Sequence, residues 1–277
     1  MAGEPARSGE AHSGSSEGYS GSSEGYSPSS EGTGSRPAFY ALRPGGWRDL
    51  VTILHPPYTA WHLSYVAFGA AAAPEFHPAR LWATLAAFFL AVGISAHSLD
   101  ELRGRPLGTR LSDRALASLA GVGLAGAVGI GIAGLFVVSA SLLPFVAAGA
   151  FLVLAYNLEL FGGRLHTDLW FAAAWGGFPA LTSFWANALG IHSLGEAAAG
   201  ALVTLACFGL SLAQRRLSTP ARELRRKTLE VRGTQRLADG TVRELSAAGI
   251  AAPLDGALAA LSASLVLLAS ALVAIRL

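Results

Sequence analysis

The sequence predicts an all-α integral membrane protein, a bundle of about seven transmembrane helices. Three observations carry this. Of the 277 residues, 52% are hydrophobic and only 14% charged, whereas soluble domains run near a quarter charged; the mean hydropathy is +0.45. A bilayer core takes about 20 apolar residues in helical form, and such runs recur near 58–73, 81–96, 115–138, 142–156, 169–188, 197–213 and 254–275. Lysine and arginine collect on alternate connections between those runs, the asymmetry that orients membrane helices.

The chain opens differently. "SGSSEGYSGSSEGYSPSSEG" (13–32) repeats a seven-residue unit of Ser, Gly, Glu and Tyr with no apolar face to bury. Residues 1–36 therefore read as a disordered tail ahead of a membrane domain over 37–277. The tail has neither the n-region nor the h-region of a signal peptide. A lone cysteine, Cys207, excludes an intrachain disulfide and sits in an apolar run, where a core role is its default. The arginines do not alternate with stacking aromatics, so no nucleic acid is expected.

Each helix carries its own signals. Short first, second and fourth runs should extend into their flanks. Pro144 and Pro179 lie at or within helices and should kink them. The third run holds Gly121, Gly123, Gly126, Gly129, Gly131 and Gly134; small residues permit close helix approach, so this helix should pack inside the bundle. Arginines stand before the first helix and in loops 97–114, 157–168 and 214–253, against Arg80 and Arg276 on the other side. The N-terminus and these polar loops are thus expected in the cytoplasm of an integral membrane protein of a prokaryotic cell membrane.

Two polar clusters remain. In "AHSLDELRGRPLGTRLSD" (96–113), His97, Asp100 and Glu101 fall at i, i+3 and i+4, on one helix face at the membrane boundary. Ser112 or Asp113 should cap the next helix. A positive-inside collar explains arginines there, but needs neither adjacent acids nor a histidine on their face. Carboxylates at Asp100 and Glu101, with His97, suit Mg2+ bound to a diphosphate; Arg103, Arg105 and Arg110 suit its remaining oxygens. In "LAQRRLSTPARELRRK" (212–227), Thr219 and Pro220 read as the N-cap and first position of a short helix. Its N–H groups, with Arg222, Arg225 and Arg226, would face an anion; a basic helix resting on anionic lipid explains the same residues. His62, Asn157, Asp168 and Gln214 are candidates for a substrate pocket, and His55 and Tyr58 open the first helix beside them.

Clusters after the second and sixth helices resemble the UbiA superfamily of intramembrane prenyltransferases. "GRPLGTRLS" looks like the tail of that family's first motif, and "AYNLELFGGRLHTDLWFAAAWGGFPALTSFW" (155–185) like its fourth-to-fifth helix passage. Laid on the first motif, His97 replaces an Asn, Glu101 keeps the first acid and Arg105 takes the place of the last. The second motif is reduced to Glu223 amid arginines. The resemblance implies a UbiA-like bundle that transfers a polyprenyl group from its diphosphate to a lipid-soluble, quinone-type or aromatic acceptor. Asp100 and Glu101 would then be catalytic and Mg2+ the cofactor. The alternative is a non-catalytic isoprenoid-binding, lipid-binding or transport protein on the same scaffold.

Overall fold

The computed structural model describes residues 36–277. The tail expected over residues 1–36 lies outside them, save for its last residue. After an extended strap, α1 (Trp47–Ile53) leads to α2 (Pro56–Ala72), whose N-terminal prolines supply the fixed φ that a first turn needs. Then α3 (Pro78–Phe88), a π-helical segment Phe89–Ala96 and α4 (His97–Leu102) form one rod. Next comes α5 (Asp113–Val137), capped by the Ser112 hydroxyl, which accepts the Ala115 N–H. After a 3-10 turn at Ala140–Leu142 comes α6 (Leu143–Asn157). The next rod is α7 (Asp168–Ala172), a π segment Ala173–Gly177 and α8 (Phe178–Ala188). Last are α9 (Leu194–Arg226), a hairpin of β1 (Thr234–Arg236) and β2 (Val242–Glu244), and α10 (Ala247–Arg276).

Among the described residues five helices are long and apolar enough to cross a membrane: Pro78–Leu102, Asp113–Val137, Ala140–Asn157, Leu194–Arg226 and Ala247–Arg276. Beside them run α2 and the interrupted α7–α8 rod. Each expected apolar run falls in a helix, but among the described residues five rather than seven meet the length and hydropathy of a membrane span. Two ends emerge. At one, Arg80 donates to the carbonyls of Ala186 and Asn187, and Arg276 to those of Ala73 and Pro74. At the other, the polar end, the strap, the loop after α4, the loop after α6 and the end of α9 meet.

The core centres on α2, which packs on α8 and α10 with Trp61, Tyr65 and Val66 fully buried. Its approach to α8 depends on Gly69: a Cβ there would lie 2.0 Å from the Ala180 carbonyl oxygen. The glycine-rich α5 is not inside the bundle, contrary to expectation. Only Leu116, Ala120 and Gly123 are buried on it, while Val122, Phe136 and Val137 are exposed. Four of its six glycines, Gly123, Gly126, Gly131 and Gly134, meet neighbours, and a Cβ on Gly123 would meet the Leu90 carbonyl at 2.8 Å; Gly121 and Gly129 face open space on its apolar outer surface.

The short helix expected to start at Thr219 is not separate. α9 runs unbroken through Pro220 to Arg226. A proline removes one N–H and frees the carbonyl four residues back, here that of exposed Arg216. Water reaches that group outside the bilayer, so the helix continues. Pro144 occupies a first turn, whereas Pro179 lies inside the α7–α8 rod, directly after the π segment that interrupts it. The hairpin after α9 has no counterpart in the sequence reading.

Candidate functional site

Asp100 and Glu101 are neighbours with opposite fates. Glu101 is 0% exposed. Its Oε2 accepts the Leu107 N–H at 2.9 Å; its Oε1 accepts the Thr109 N–H at 2.8 Å and the Thr109 hydroxyl at 2.9 Å. The loop needs this, because Gly104, Arg105 and Gly108 all take positive φ and their neighbours lack ladder partners. A second buried carboxylate completes the tie: Asp49 accepts Gly45 N–H at 2.9 Å and Arg110 N–H at 3.0 Å. Both acids therefore fold the loop.

Asp100, by contrast, has no hydrogen-bond or ion-pair partner among the described residues, although Arg222, His166 and Arg226 lie within Coulombic reach of it. The arginines divide the same way. Arg103 pairs with Glu159 at 3.2 Å and with the Leu158 carbonyl. Arg105 holds the Leu111 carbonyl at 2.5 Å and pairs with Asp113. Arg110 is exposed. Arg225 pairs with Asp255 on α10, leaving its Nε buried without a partner. Arg222 reaches only Ser218 and Thr219 on its own helix, and Arg226 the Pro37 carbonyl. Two guanidinium groups within Coulombic reach of Asp100 thus have no carboxylate ion pair among the described residues.

The pocket candidates also separate. Asn157 donates to Val153 one turn back and belongs to its own helix. Asp168 pairs with Arg215 at 2.9 Å, and Arg215 lies 5.2 Å from the centre of the Phe171 ring. Gln214 is buried with Oε1 unpartnered. His62 is positioned by the second π segment. Pro179 frees the carbonyl of Trp175, four residues back, and that carbonyl accepts the His62 Nδ1–H at 2.7 Å. The carbonyl fixes the tautomer, so His62 Nε2 keeps a lone pair. The Phe171 ring lies between His62 (5.9 Å) and Tyr156 (6.1 Å), and the buried Tyr156 hydroxyl has no partner.

An apolar cavity of about 140 Å³ opens between α3, α5, α6 and the α7–α8 rod. Its walls include Ala87, Ala91, Gly131, Val146, Gly149 and Phe178; Arg80 stands at one end and Val92, Val153 and Trp175 at the other. Those last three pack in one cluster with Tyr156. Tyr156 in turn lies within Coulombic reach of Asp100 and Arg222.

The sequence reading passed over Tyr40 and Tyr156. Tyr40 Oη lies 2.7 Å from His55 Nδ1, and the His55 ring stacks on His97 at 4.1 Å. Burial first, then His97 and Arg226, push His55 well below the usual histidine range. Burial, then Tyr58, raises Tyr40 well above the usual phenol range. The neutral phenol thus donates and the neutral imidazole accepts. Nothing in the isolated sequence marks an aromatic in a strap as part of a site.

The expected magnesium centre can be tested on these contacts. Magnesium takes one or two carboxylates besides phosphate oxygens and water. Glu101 is committed to the loop, which leaves Asp100 and the unpartnered His97 Nδ1; among the described residues no three His, Cys, Asp or Glu side chains are grouped to hold a metal. The donor set does not fit the centre that the sequence suggested. Comparison with protein-family models, with curated proteins and with solved structures yields no match.

Proposed function

We propose that this protein is a UbiA-like membrane prenyltransferase that binds a polyprenyl diphosphate and transfers its prenyl group to a lipid-soluble acceptor. One observation supports the reading: Val92, Val153 and Trp175, at one end of the apolar cavity, pack with Tyr156, which lies within Coulombic reach of Asp100, Arg215 and Arg222. A hydrocarbon chain and its anionic head would lie on the two sides of that cluster. The polar end would face the cytoplasm of a prokaryotic cell, and all seven rods would span the membrane.

Arg222 and Arg226 would hold the diphosphate. As the prenyl C–O bond breaks, its electron pair goes to the diphosphate, and the guanidinium groups stabilise the developing charge. The prenyl carbon bonds to the acceptor, and the acceptor's displaced proton passes to His62 Nε2. Since the donors do not fit the expected metal centre, no step is assigned to magnesium.

A second reading has its own support. With Glu101 tied into the loop, Asp100 is the one acid of the expected pair left facing the chamber. That favours a scaffold that binds the isoprenoid and leaves it intact. Purified protein given a labelled prenyl diphosphate and quinone-type or phenolic acceptors separates the two. Release of diphosphate supports transfer; binding without turnover supports the second reading; no binding at all overturns both.

A further inference from the structure

We infer that the strap over residues 36–44 is a lid on the arginine site, hinged at Gly45–Gly46, which must swing away to admit an anionic head. The inference rests on the diphosphate-binding reading above. The first ground is space. Between the strap and Arg222, Arg225 and Arg226 the structure leaves about 10 Å³, room for about one water molecule and too little for a phosphate. The walls are the strap residues Pro37 and Tyr40 on one side and Tyr58, Asp255 and the arginines on the other. The donors are in place, Arg225 Nε among them without a partner, but the volume is closed.

The second ground is how the strap is fastened. Four hydrogen bonds cross to the bundle: Arg226 Nε–H to Pro37 O at 3.0 Å, an Arg225 Nη1–H to Arg36 O at 3.4 Å, the Tyr40 hydroxyl to His55 Nδ1, and Leu42 N–H to Thr52 Oγ1 at 3.1 Å. Its apolar contacts are Ala38 and Ala41 against Leu107, Phe39 against the main core, and the Phe39 and Tyr40 rings edge-on against Tyr58. Two of the fasteners are the arginines that would meet the ligand. A ligand that draws those arginines to itself removes two of the strap's four hydrogen bonds as it binds, the coupling expected of a lid.

The third ground is the hinge. Gly45 and Gly46 take φ of 129° and 62°, a region open to glycine. Opening there gives up the Gly45 N–H bond to Asp49, while Asp49 keeps the Arg110 N–H. Motion of the strap therefore stops at the glycines and leaves the loop after α4 in place.

The test locks the lid. In the full chain carrying Cys207→Ser, cysteines at Ala41 and Leu107 are oxidised to a disulfide, and association of labelled farnesyl diphosphate is measured before and after reduction. A locked lid removes the open, binding-competent population, so association should slow by about tenfold or more and recover on reduction. Equal rates in both states would overturn the lid while leaving the diphosphate reading intact; binding in neither state would overturn that reading and the lid with it. Tyr40→Phe, without the disulfide, supplies an independent arm. Removing one fastener should speed association several-fold; an unchanged or slower rate would overturn the inference.

Discussion

The loop after α4 and the end of α9 read alike in the sequence, each a cluster of arginines with acids at a membrane boundary. In the structure they differ. The first cluster is used up folding itself: Glu101 and Asp49 hold the amides of Leu107, Thr109 and Arg110, and Arg105 closes on Leu111 and Asp113. The second, carried on a rigid helix that supplies its own backbone bonds, leaves Arg222 and Arg226 with no carboxylate partner beside Asp100. A loop must satisfy its amides before its charges can serve a ligand; a helix has already done so. Charge count therefore locates the end of the bundle where a site lies, and unpartnered charge locates the site.

The sharpest way to break this contrast is Glu101→Ala. It leaves two buried amides and a hydroxyl without their acceptor, which should cost about 3 kcal/mol or more. Thermal denaturation in detergent, with proteolysis at residues 103–112, checks it; a parent-like melting point would return Glu101 to the list of ligand residues. Arg222→Ala should instead leave the melting point near the parent's and weaken prenyl diphosphate binding by about tenfold or more. Equal affinity would mean that the second cluster is only a boundary signal.

Acid should act through His55, which faces Tyr40, Tyr58, His62, His97, Arg222 and Arg226. Its folded pKa is depressed, so the unfolded chain binds the extra proton first. Stability should be full above about pH 6.5 and fall as pH drops below it. His55→Gln should lessen that dependence without abolishing it, since His97 stacks on it and buried His62 lies within Coulombic reach; an unchanged slope would place the sensitivity wholly elsewhere. The smallest effect belongs to Arg103→Ala. Its pair with Glu159 is nearly half exposed on both sides, a class worth about 0–1 kcal/mol, and binding should not change.

Much of this was legible beforehand. Hydropathy located the apolar helices, because each must hide or present a whole apolar face, though only five of the expected seven are long and apolar enough to cross a membrane among the described residues; Ser112 marked the start of α5. Cluster order correctly brought His97, Asp100, Arg222 and Arg226 to one end. The roles within a cluster were not legible. Asp100 and Glu101 are adjacent, and only the path of the loop beyond Gly104 decides which one it enfolds. Thr219–Pro220 is a sound local start signal, yet a helix begun at Leu194 passes through it. The glycines of α5 announce close packing but not which side packs. The strap gave no signal because its contacts are with residues far along the chain.

The central claim is that arginines on α9, rather than a metal held by Asp100 and Glu101, bind the anionic head. Its most direct test is farnesyl diphosphate affinity of the full chain in EDTA and in excess Mg2+, measured by equilibrium binding alongside Arg222→Ala. The account predicts the same affinity in both buffers for the parent and a comparable loss in both for the variant. Binding that disappears in EDTA, returns with Mg2+ and survives Arg222→Ala would contradict it.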